Sequence, residues 1–212
     1  MYSFDHSQPD NPLLENLIFV ADVVLACLLV FLTLYLDIRY FSNPFSETSL
    51  TEFSAQLLLL SISIRFLRHS RNNRDRQNAE RINHIYVLAG IFFTVLLIRE
   101  LDQWFDIVTH GFWVYPALSA ALYGLCYLVK HRTVAYHQLQ TLLSHRFMPI
   151  LLLGVVFLLV LSRIMGMGMF WKEVMGDDYM RIVKNVVEEG SELLAYYIIA
   201  IGTIKITKSE YA

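Results

Sequence analysis

The sequence predicts an all-α fold, a polytopic transmembrane bundle of six spans in which residues 1–212 form a single integral membrane domain with both termini cytoplasmic. Three observations predict it. Of the 212 residues, 56% are hydrophobic and only 17% charged, whereas soluble domains average roughly 45–50% and about 25%. Mean hydropathy is +0.46. The apolar residues gather into six runs divided by charged or turn-forming stretches, most of them close to the roughly 20 residues that a helix needs to cross a bilayer.

This composition also excludes other classes. A net charge of −2 provides no basic surface for nucleic acid, and so apolar a chain is not disordered. Two cysteines make no disulfide scaffold; Cys27 and Cys126 stand inside apolar runs and read as small buried hydrophobes.

The first span is Leu17 to Leu36, broken only by Asp22. Its upstream tail carries Asp5, Asp10 and Glu15 with no Lys or Arg, so it lacks the basic leader of a signal peptide and reads as a retained helix. Asn43-Pro44 ends it. The second run, Phe53 to Leu67, is short and contains Ser54, Gln56, Ser61, Ser63 and Arg65. A five-span arrangement, in which this run lies flat and the N-terminus is outside, therefore stands beside the six-span one. The third span runs from Ile85 to about Ile107 and turns charged at Arg99-Glu100-Leu101-Asp102. His110-Gly111 separates it from the fourth, Phe112 to Val129. The fifth extends from Phe147 to about Phe170, where Met165-Gly166-Met167-Gly168-Met169 reads as a small-residue packing surface. Gly176-Asp177-Asp178 precedes the sixth, Val186 to Ile206.

Charge orients the bundle. Six arginines between residues 64 and 83, then Lys130, Arg132 and Arg146, then Lys205 and Lys208 put eleven of the seventeen basic residues on one face, which the positive-inside rule makes cytoplasmic. Twelve of the nineteen acids, among them Asp37, Glu100 and Glu189, fall on the other face with Trp104, Trp113 and Trp171. Such an aromatic belt marks a membrane interface.

Two polar ladders stand at the outer end. At about 100° per residue, Asp102, Asp106 and His110 share a stripe of about 80° with Arg99 if the third helix persists. Carboxylates and an imidazole so spaced suit a divalent cation. The sixth span opens with Glu188 and Glu192 on the same face as Arg181 and Asn185, with Glu189 beside them. An intramembrane carboxylate needs a cation, a basic partner or a proton to offset its cost. The expectation is one outward-opening site with Asp102, Asp106, His110, Glu188 and Glu192 as metal ligands, and Arg99, Arg163 and Arg181 as holders of a phosphate.

Three functions fit. Cation handling, as transport or conduction, comes first, because acids outside concentrate cations. The inner half of the sixth span offers few polar groups, so conduction would need a homo-oligomer lined by the serines and Gln56 of the second span. A metal-dependent enzyme acting on outer-leaflet lipid is second. An assembly or sensor subunit of a membrane complex is third. The implied partners are the lipid bilayer, a divalent cation or a phospholipid, and further copies of the chain, with no nucleic acid. The implied location is a bacterial inner membrane.

Overall fold

In the computed structural model, residues 12–40, 49–72 and 82–209 are described. Among them every regular element is helical: α1 Pro12–Tyr40, α2 Leu50–Asn72, α3 His84–Glu100, α4 Asp102–Asp106, α5 Val114–Leu143, α6 Met148–Val156, a π turn Phe157–Leu161, α7 Ser162–Met165, α8 Gly168–Met175 and α9 Arg181–Ser209. Three helical stretches, Leu13–Tyr40, Leu50–Arg71 and Met148–Met165, are long and apolar enough to cross a membrane. The short second run is thus part of a 23-residue helix. Asn43-Pro44 and the basic residues Arg74, Arg76 and Arg81 lie outside the described residues.

The long helices alternate in direction, and interhelical bonds show it. Asp37, near the end of α1, accepts the backbone N–H groups of Leu50 (2.8 Å) and Thr51 (2.9 Å) and the Thr51 hydroxyl (2.5 Å), so one helix caps the start of the next. Ser49 adds its own cap to Glu52 N–H at 3.2 Å. The end of α2 meets the start of α3 through Asn83 N–H and Ser70 C=O at 3.0 Å. His84 and Gln138, 2.7 Å apart, tie the start of α3 to the far end of α5. His145 and Ser209 bring the start of α6 to the end of α9 at 2.7 Å.

Helix α9 is the hub, packing on α1, α2, α6 and α7, while α5 packs on α3 at the edge. Small residues let it approach closely. A Cβ at Gly202 would come within 2.9 Å of Leu151 N, and one at Gly154 within 3.0 Å of Ile199 N, so α6 and α9 cross backbone to backbone. Between α2 and α3, Phe66 stacks on Phe93 with centroids 5.7 Å apart, and Ser63 bonds Gly90 C=O at 3.1 Å.

The structure redraws several expected boundaries. The third span ends at Glu100, not near Ile107, because Leu101 leaves helical geometry (φ −98°, ψ 17°) before α4 begins. The loop expected over 130–146 is helical to Leu143, with a kink at His131, whose ring stacks on His84 at 4.1 Å. The fifth span stops at Met165, the first residue of the Met-Gly run, which holds a helix break. Cys27 and Cys126 are exposed rather than buried. In a bundle with apolar outer faces, an apolar run does not identify the interior.

Candidate functional site

Three helices converge at the end of the bundle where α3 stops and α9 starts. Glu100, the last residue of α3, is largely buried and pairs with Arg99 at 2.8 Å. It accepts the hydroxyl of Tyr196 on α9 at 3.0 Å, and its backbone carbonyl accepts the Gln56 side chain of α2 at 2.9 Å. Tyr196 is fully buried, and its phenol has the partner that a buried hydroxyl requires.

One turn before Tyr196, Glu192 is buried and meets Arg163 of α7 at 3.4 Å. The π turn at Phe157–Leu161 lies directly upstream of that arginine and adds a residue to one turn, setting the register of all that follows. Ser162 bonds back to Leu158 C=O across it. Glu188, a further turn up α9, pairs with Lys184. A side-chain carbon at Gly166 would strike the Glu188 carboxylate, so the break in the Met-Gly run makes room for that group.

Glu189 completes the cluster. It is partly buried, and Glu192, Glu52, Glu100 and Glu188 add their negative charge to its surroundings. Arg99 and Arg163 act on Glu192.

The structure therefore brings together Arg99, Arg163, Glu188 and Glu192 of the predicted residues. It places Asp102, Asp106 and His110 in a separate arrangement. The break at Leu101 parts them from Arg99, and α4 ends at Asp106, short of His110: Asp102 accepts its neighbour's N–H from Gln103 at 2.8 Å. Asp106 binds His110 Nδ1 at 2.8 Å and Gly111 N–H at 2.7 Å. It thereby closes a turn in which Gly111 takes φ +79°, a conformation that suits glycine. The His110 ring is fully exposed. Arg181 is exposed at the start of α9. Among the described residues no group of three or more His, Cys, Asp or Glu side chains is arranged to hold a metal ion.

Sequence reasoning did not place Glu100, Tyr196 or Gln56 in this site. On the wheel that aligned Asp102 with Asp106, Glu100 falls at about 160°, nearly opposite the stripe. Tyr196 was visible in principle, four residues after Glu192 and so on the same helix face.

Compared with protein-family models, with curated proteins and with solved structures, the chain matches none. Chemically, the cluster is an oxygen-rich, partly buried site in which Arg99, Arg163 and Lys184 pair with Glu100, Glu192 and Glu188. Such a donor set suits hard cations, H⁺ included.

Proposed function

We propose that the chain is a six-span membrane protein with cytoplasmic termini that binds and handles cations at the outward-facing cluster of Glu100, Glu188, Glu189 and Glu192. The observation that carries this reading is Glu189, partly buried on the stretch of α9 that also holds Glu188 and Glu192, with Glu100 of α3 and Glu52 of α2 adding to the negative field there. An ionised carboxylate there costs free energy on its own account and by repulsion from its neighbours. A bound cation removes both penalties, so the site attracts one. Glu192 and Glu100 already have basic or hydroxyl partners and serve to frame the site. Arg99 and Arg163, held by Glu100 and Glu192, fix those carboxylates in place.

Alternating helix directions support the orientation, since they bring Lys205 beside Asp22 (3.5 Å) and Arg146 beside Glu15 (2.9 Å) at the end opposite the acids. The positive-inside rule then turns the acidic end outward. Binding is tested by thermal unfolding of the purified protein across a panel of Na⁺, K⁺, Mg²⁺ and Ca²⁺ at several pH values. A ligand of the folded state at about 100 times its Kd adds roughly 2.7 kcal/mol. The expected result is stabilisation by at least one cation that Glu189→Gln removes. Identical response of the two proteins to every cation and pH contradicts the reading.

A further inference from the structure

At the opposite end of the bundle, α2 and α9 diverge around a cavity of about 770 Å³. Arg65, Arg68 and Arg71 line it from α2, three residues whose spacing keeps them on neighbouring rows of one helix face. Arg65 is anchored, its Nε donating to Thr207 Oγ1 of α9 at 2.5 Å. Arg68 and Arg71 are exposed and line the same cavity. Among the described residues its lining contains no carboxylate. Beside the arginines the walls are apolar, with Ile64 of α2 and Ile204 of α9 exposed on them. Basic side chains beside apolar walls in a cleft between α2 and α9 match one class of molecule: an anionic head group with an acyl chain behind it.

We propose that this cavity binds the phosphate of an anionic phospholipid, with Arg65 and Arg68 on the phosphate oxygens and the acyl chain against Ile64 and Ile204. Guanidinium groups offer a planar fork of donors that matches a phosphate, and basic pockets between helices at the cytoplasmic side favour anionic head groups. Arginines serving only as interfacial anchors need no cleft. Here Arg65 is fastened across the α2/α9 divide, which sets the fork in the cleft. The proposal depends on the chain lying in a bilayer and is independent of cation binding at the acidic cluster.

The test uses the full chain in nanodiscs of phosphatidylcholine with and without phosphatidylglycerol, counting retained lipid by native mass spectrometry. Wild-type protein is expected to retain phosphatidylglycerol over phosphatidylcholine. Arg65→Gln/Arg68→Gln should weaken that preference by at least about tenfold. Ile204→Trp fills the cleft while leaving every charge in place and should cause a similar loss, which separates site occupancy from general surface charge. Equal retention of both lipids, or a preference that survives both variants, overturns the site. Displacement of the lipid by millimolar inorganic phosphate overturns the lipid as its occupant, since the phosphate alone would then suffice.

Discussion

Tyr196 donates its hydroxyl to Glu100 Oε1 at 3.0 Å, joining α9 to the end of α3 across 96 residues of sequence. Both groups are withdrawn from solvent, so each satisfies the other. Tyr196→Phe keeps the ring packing and deletes only the bond. It should lower stability by about 1 kcal/mol, read as a drop in the melting temperature in detergent. Tyr196→Ala also empties a core position and should cost roughly 3–5 kcal/mol. Equal losses for the two variants would mean that packing is irrelevant at this position.

Arg163 and Glu192 form the ion pair that joins α7 to α9. Removing one partner strands the other, while removing both does not, so Arg163→Gln and Glu192→Gln should couple by roughly 0.5–3 kcal/mol in a double-mutant cycle. Unfolding free energies of the four proteins measure it. Strict additivity would show that the two groups do not act on one another.

Asp37 predicts a different kind of loss. Its carboxylate is fully buried and accepts three bonds from the first residues of α2. Asp37→Ala leaves those donors without their acceptor and should cost about 3 kcal/mol or more, since bonds to charged groups contribute about 1.5–3 each. Ser49→Ala, which removes a single cap bond, should cost about 0.5–2 kcal/mol. Chemical or thermal unfolding ranks them, and the reverse order would contradict the capping role of Asp37.

Two glycines separate close approach from backbone conformation. At Gly202 a Cβ would meet the Leu151 backbone at 2.9 Å, so Gly202→Ala must push α6 and α9 apart and should cost roughly 1–3 kcal/mol. At Gly111 nothing lies within 4 Å, yet φ is +79°, so Gly111→Ala should cost only the left-handed penalty, about 1–2 kcal/mol. Gly202→Ser should track Gly202→Ala, whereas Gly111→Asn, which tolerates that conformation, should recover part of the loss.

Helix class and membrane character were legible in the sequence because burial in lipid demands long apolar runs. The charged minority was half legible. Glu188, Glu192, Arg99 and Arg163 were recognisable as acids and bases near the ends of their helices, and of these Arg163 and Glu192 pair directly. Asp102, Asp106 and His110 seemed to continue the same stripe as Arg99 because a helical wheel carries no information about a break; the break at Leu101 parts them from Arg99, and Asp106 and His110 bond to each other. Glu100 was hidden for the same reason. The Arg65–Thr207 bond joins residues 142 apart and depends on how α2 and α9 pack, which no local pattern encodes.

The central claim, that the Glu189 cluster handles cations, is tested most directly by flux in proteoliposomes. Purified protein reconstituted with an imposed cation gradient should dissipate it, and Glu189→Gln should slow that dissipation by at least about tenfold while the protein stays folded. Wild-type liposomes no leakier than empty ones, or wild-type and Glu189→Gln rates that coincide, would contradict it.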